Sequence, residues 1–323
     1  MGYRDPACSK KSLNMKVLYG RILSIIFISV IFYFIGRVVY REWDKIYGYN
    51  WSPHPLWLIS SIAILFTAYI LSAYGWALVS RMMGGKIGWS KGCSIFLLSL
   101  YGRYIPGGVW SVLGRIYLCR IEGIPDSRSS MSVLLEQAYA IVSAGLVFVV
   151  SLLFWNDAVS VVRVLPAVFL LPLFFVFLHP KPFLKIVNPI LSWMGRGQIN
   201  ISLSFKNMII LAVYYSFYWV VAGTAFYFFI RAFYPLGLYY IPILSGIYAI
   251  SFTAGYLAFF APAGLGVREG VLTILLSLFI PTPVAIGVSL LSRLWLIGIE
   301  LVILVLFLIN TKTRKMAKMA LGW

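Results

Sequence analysis

Charge is scarce in this chain of 323 residues: only 11% are Asp, Glu, Lys or Arg, and only 9 are acidic. A soluble domain carries about 25% charged and about 45–50% apolar residues. Here the apolar share is 61% and the mean hydropathy +0.91. These values exclude a water-soluble globular enzyme and a disordered chain, and they describe a polytopic membrane protein. Metal-binding and disulfide-forming residues are also sparse. Cys8, Cys93, Cys119, His54 and His179 are far apart, with no CxxC or HxxxH. Neither a disulfide framework nor a metal site is expected. No Gly-Lys-Ser/Thr loop is present to bind ATP, and no acidic pair of a metal-dependent prenyl or phosphosugar transferase is visible. No cofactor is implied.

Positive charge is in excess, with 27 Lys and Arg and a net charge of +18. In a soluble protein that excess would suggest nucleic acid. Here the basic residues fall between apolar runs, where they set topology and attract anionic headgroups. Nucleic-acid binding is rejected on that ground. The basic start and the apolar run Ile22 to Ile35 lack a small-residue cleavage site, which reads as an anchored first helix.

A spanning helix needs about 20 mostly apolar residues. Six stretches qualify: 18–40, 56–80, 130–154, 161–178, 207–231 and 284–309. Two further apolar stretches are interrupted. In 92–118 the break is Pro106-Gly107-Gly108; in 239–280 it is Pro262-Ala263-Gly264-Leu265-Gly266. Proline and glycine end helices, and irregular backbone within a bilayer survives only where protein or a watery cavity surrounds it. The expected fold is all-α: about six spanning helices plus two re-entrant helical hairpins of opposite orientation. All of 1–323 forms a single integral membrane domain, and half-repeats around 56–154 and 207–309 would make it an inverted repeat.

The distribution of basic residues agrees with that topology. With the N-terminus inside, 18 of the 27 fall on inside segments and 5 on outside ones. Both termini are then cytoplasmic. The remaining four, Arg103, Arg115, Arg268 and Arg293, fall in the broken or spanning segments. One charge at the middle of a spanning helix costs about 2.5–3.5 kcal/mol, so these four should face protein, water or an anion. Three acids share the same regions, Glu136, Glu269 and Glu300, leaving a surplus of one positive charge.

Arg268 and Glu269 follow the second break, where glycines and a helix N-terminus suit a phosphate. Glu269 positions Arg268 or carries a proton. Arg103 and Arg115 flank the first break and would form the opposite half of the same anion site, or snorkel to headgroups. Arg293 and Glu300 share a helix face seven residues apart and read as an internal ion pair or a transport pair. Glu136, near the start of its helix, reads as a dipole partner. Most Tyr and Trp read as interfacial belt, with Tyr104 and Trp110 as exceptions beside the first break.

Gly-Arg-Tyr-Ile-Pro-Gly-Gly-Val-Trp with Gly114-Arg115, followed later by Pro-Ala-Gly-Leu-Gly-Val-Arg-Glu-Gly, resembles the membrane region of the lysylphosphatidylglycerol synthase/flippase family. The resemblance covers most of 15–310. It implies a membrane domain that flips charged or glycosylated lipids, or assists enzymes that handle them, in the plasma (inner) membrane of a prokaryote. Matched positions are Arg103, Pro106, Gly107, Gly108, Arg115, Pro262, Gly264, Gly266, Arg268 and Glu269. The family's full-length synthases carry a soluble aminoacyl-transfer domain after the membrane part, whereas this sequence ends at Trp323. A stand-alone member without lysyl transfer is expected.

The function expected from these readings is transport of an anionic phospholipid or a polyprenyl-phosphate-linked sugar, with the phosphate on intramembrane arginines. The alternatives are an integral membrane enzyme on a lipid carrier, for which Glu269 is the one good general base, and a scaffold partner of an envelope-synthesis enzyme.

Overall fold

The computed structural model describes residues 40, 47–49, 51–85, 87–104, 110–155, 185, 189, 204–258, 261 and 264–309. Every regular element among them is helical. The α-helices are α1 (Pro55–Met82), α2 (Trp89–Ser99), α3 (Trp110–Ile121), α4 (Asp126–Ser151), α5 (Phe205–Phe233), α6 (Tyr240–Leu257), α7 (Val267–Leu276) and α8 (Thr282–Ile309). Short 3-10 turns follow α2 (Leu100–Tyr104) and α4 (Leu152–Phe154).

Local sequence sets these boundaries. Pro55 opens α1, where its missing N–H costs nothing. Ser204 caps α5 by accepting from the Asn207 N–H at 3.3 Å. Between α6 and α7, Gly264 (φ +67°) and Gly266 (φ +84°) take left-handed conformations that L side chains avoid. Four expected spans, 56–80, 130–154, 207–231 and 284–309, correspond to α1, α4 with its 3-10 extension, α5 and α8. The span 161–178 and all but the last residue of 18–40 lie outside the described residues, as do Pro106, Gly107, Gly108 and Pro262.

Five helices are long and apolar enough to cross a membrane, and the fifth is α6. The second broken segment is therefore lopsided. The 18 residues of α6 extend about 27 Å and the 10 of α7 about 15 Å, at 1.5 Å per residue. In the first segment α2 and α3 are both short, at 11 and 12 residues.

Both segments return to the end from which they start. At the mouth of the first, Lys91 of α2 and Glu122, just past α3, pair at 2.6 Å. Arg81 stacks on Trp89 nearby, and Arg128 of α4 donates to the Gly84 carbonyl at 3.2 Å. At the mouth of the second, the rings of Tyr240 and Phe279 lie 6.2 Å apart, and Trp155 packs edge-on against Phe279 at 4.9 Å. These two mouths lie at opposite ends of the bundle. The His54 N–H donates to the Ala232 carbonyl at 2.8 Å, which joins the start of α1 to the end of α5. Val79 and Met208 share a buried cluster at the other end of the same two helices.

Small residues let the helices meet closely, as is common in membrane bundles. A Cβ on Gly223 of α5 would sit 2.2 Å from Ser245 Cα, and one on Gly246 would sit 2.1 Å from Ser151 Oγ. α6 is thereby held against α5 on one side and α4 on the other. Tyr248 of α6 reaches Phe226 of α5 and Trp295 of α8 within the main buried cluster.

Candidate functional site

The turns of the two broken segments meet around a cavity of about 230 Å³. All four interior arginines, Arg103, Arg115, Arg268 and Arg293, line it. Their surroundings differ: among the described residues, three are held by a carboxylate and one is not.

Arg115 lies on α3 and is buried. Its Nη1 meets Glu136 Oε2 of α4 at 2.5 Å, and its Nε donates to Ser99 Oγ at 3.1 Å. The guanidinium also covers the Phe96 ring at 4.5 Å. Gln137 Nε2 donates to Glu136 Oε2 at 3.1 Å. The dipole role expected of Glu136 does not fit this geometry: α4 begins at Asp126, so Glu136 stands almost three turns in, beyond the reach of the helix N-terminus. It is the counter-ion of Arg115 and part of the cavity wall.

Arg103 sits in the 3-10 turn that closes the first segment. Gly102 allows the closure, because a Cβ there would lie 2.6 Å from the Ser111 nitrogen of α3. Arg103 pairs with Glu300 of α8, whose carboxylate also accepts from Tyr69 Oη. Tyr101 Oη donates to the Glu300 backbone carbonyl at 2.7 Å. The turn is thus fastened to α1 and α8.

Arg293 and Glu300 lie on one helix and each has a counter-ion on another element. Arg293 Nη1 meets Glu269 Oε1 at 3.3 Å. The other oxygen of Glu269 accepts from the Gly266 N–H at 2.7 Å and caps α7. The carboxylate of Glu269 is therefore engaged by Arg293 and the helix start, rather than by its neighbour Arg268.

Arg268 is the exception. It is 3% exposed, and its Nε and Nη2 are buried without a hydrogen-bond partner. Its guanidinium faces the rings of Phe252 and Tyr248 at 5.1 and 5.5 Å. Cation–π contact attracts it there but leaves its donors unused. The surplus positive charge counted in the sequence thus resides on one side chain, at the first turn of α7, where helix N–H groups add positive potential. Gly255 makes room for it: a Cβ there would approach Arg268 Cβ to 2.8 Å.

The rest of the wall was not singled out in the sequence. Tyr69, Tyr215, Tyr218, Tyr248 and Phe252 line the cavity, although tyrosines read as interfacial belt. The Tyr215 hydroxyl is buried without a partner. No periodicity in the sequence separates them from a belt, because α1, α5 and α6, which carry them, hold none of the four arginines. Trp110, expected beside the site, is exposed and absent from the cavity wall; the side chain of Tyr104 lies outside the described residues. Tyr256 lines the cavity and is also 40% exposed, so that wall reaches the surface of the bundle. Among the described residues no group of His, Cys, Asp or Glu is arranged to hold a metal ion.

Comparison with curated proteins finds no match. The family model described as the lysylphosphatidylglycerol synthase TM region matches residues 21–303. That span takes in both broken segments and all four arginines, and this membrane protein belongs to the family.

Proposed function

We propose that this protein carries an anionic lipid across the membrane and holds the headgroup phosphate at Arg268. The observation that supports the reading is a buried arginine with two unpartnered nitrogens on the wall of a cavity at the bundle's centre. A guanidinium in low dielectric without a counter-ion is costly, and a phosphate oxygen pair is its natural partner. The exposed side of Tyr256 gives acyl or prenyl chains a way out to the bilayer. In this reading the two broken segments are re-entrant hairpins entering from opposite faces of a prokaryotic plasma membrane. Their turns rock about the cavity to open it to each side alternately. Against the enzyme reading, the three interior glutamates among the described residues, Glu136, Glu269 and Glu300, each have an arginine partner.

The test is reconstitution into liposomes with a tail-labelled phosphatidylglycerol and an impermeant quencher. The wild type is expected to move the probe, and Arg268→Ala to slow it at least ten-fold while retaining its fold by circular dichroism. Equal rates for the two proteins would overturn the assignment.

A further inference from the structure

Among the described residues, the charge around this cavity can be counted. Three of its arginines are each held by a glutamate: Arg103 by Glu300, Arg115 by Glu136, and Arg293 by Glu269. The fourth, Arg268, leaves one positive charge unmatched. Removing an ion from water costs several kcal/mol unless it is paired. A ligand bearing one negative charge completes the pairing. A second negative charge would find every other guanidinium already engaged, with the Glu136 carboxylate on the same wall to repel it. An added ammonium group fares no better, since all three carboxylates are taken.

We infer that the cavity selects lipids whose headgroup is joined through a single phosphodiester with one net negative charge, and discriminates against diphosphate-linked and zwitterionic lipids. This rests on the transport reading and narrows it. The phosphodiester can come from a glycerophospholipid or from a polyprenyl phosphate sugar. Both present the same group to Arg268 and differ in what lies beyond it.

Binding measured by native mass spectrometry on the purified full chain tests the rule. The probes are phosphatidylglycerol, phosphatidylcholine, a polyprenyl phosphohexose and the corresponding polyprenyl diphosphohexose. At least one of the two singly charged diesters is expected to bind ten-fold or more tightly than both the diphosphate and phosphatidylcholine. Whichever diester leads identifies the source. A diphosphate that binds as tightly as its monophosphate counterpart overturns the inference. Glu136→Gln adds one net positive charge and is expected to shift the ranking at least ten-fold toward the diphosphate; a folded variant with the wild-type ranking also overturns it. Glu300→Gln repeats that test if the first variant does not fold, and the wild-type ranking needs no variant. Arg268→Ala separates the two claims. If it leaves all affinities unchanged, the site itself is wrong. If it abolishes binding while diphosphate and diester bind the wild type equally, the site stands and the charge rule falls.

Discussion

Arg293 and Glu300 stand seven residues apart on α8, and each holds the turn of a different broken segment. Glu300 takes Arg103 from the first, and Arg293 takes Glu269 from the second. One helix thus carries both fastenings. A movement of either turn must break an ion pair on α8 or carry α8 with it. Interfaces of this kind are bistable rather than continuously deformable, which gives the two turns a mechanical connection across the cavity.

The Arg103–Glu300 fastening has a measurable strength. Removing one partner of a buried pair costs about 3–5 kcal/mol, because the other charge is left behind. Glu300 is 2% exposed, so Arg103→Ala strands a buried carboxylate. Arg103 keeps some exposure, which puts the loss at the lower end of that range. Thermal unfolding in detergent is expected to show the loss, with Arg103→Ala/Glu300→Ala more stable than the sum of the single variants. Additive losses would show that the pair contributes nothing.

The backbone behind Arg268 is just as demanding. Gly264 adopts φ +67°, and a Cβ there would lie 2.6 Å from the Gly255 carbonyl oxygen. Gly264→Ala is expected to cost about 1–2 kcal/mol from the left-handed conformation alone, with the steric overlap adding to it. Gly114 is the control, since a Cβ there meets nothing within 4 Å. Gly114→Ala on α3 is expected to be neutral or stabilising by about 0.5–1 kcal/mol. Melting curves of the two variants decide the matter, and equal shifts would contradict the geometry.

Tyr215 offers a cleaner variant. Its hydroxyl is buried on the cavity wall and lacks a partner. Tyr215→Phe removes an unsatisfied group, so the stability of the lipid-free protein should hold or rise by about 1 kcal/mol. If a headgroup hydroxyl uses that oxygen, the same variant weakens phosphatidylglycerol binding several-fold. Phosphatidylmethanol, which has no headgroup hydroxyl, should bind both proteins equally. Equal losses for the two lipids would remove Tyr215 from headgroup recognition.

Much of this site was legible because burying charge in a membrane is expensive. Sorting the basic residues along the apolar and broken segments isolated Arg103, Arg115, Arg268 and Arg293, and counting them against Glu136, Glu269 and Glu300 left one charge over. The partners were not legible. Sequence spacing ties Arg293 to Glu300 along one helix, whereas long side chains reach across to other helices when the packing brings those closer. Glu136 was misread because apolar periodicity marked its helix from residue 130, while Asp126-Ser-Arg-Ser already forms the first turn. The length of α6 was obscured for a related reason. Pro262 and its glycines mark where the chain breaks, but not the unequal lengths of the two arms, 18 residues in α6 and 10 in α7. The cavity tyrosines share their composition with an interfacial belt, and only their position in three dimensions tells the two apart.

The path of the first broken segment through the membrane can be tested chemically. The Lys91 ammonium and the Glu122 carboxylate are 2.6 Å apart, one at each end of the segment. The hydrocarbon core is about 30 Å thick, so two groups in contact cannot lie on its opposite faces. Leu238 and Leu278 mark the two ends of the second segment, and both are exposed. Single cysteines introduced at these four positions, with Cys8, Cys93 and Cys119 replaced by serine, report their side through an impermeant maleimide. Lys91→Cys and Glu122→Cys are expected to react from one face of sealed vesicles, and Leu238→Cys and Leu278→Cys from the other. Labelling of positions 91 and 122 from opposite faces would mean that α2 and α3 together cross the membrane. Every later helix would then be inverted, and the two turns could not meet at a common cavity.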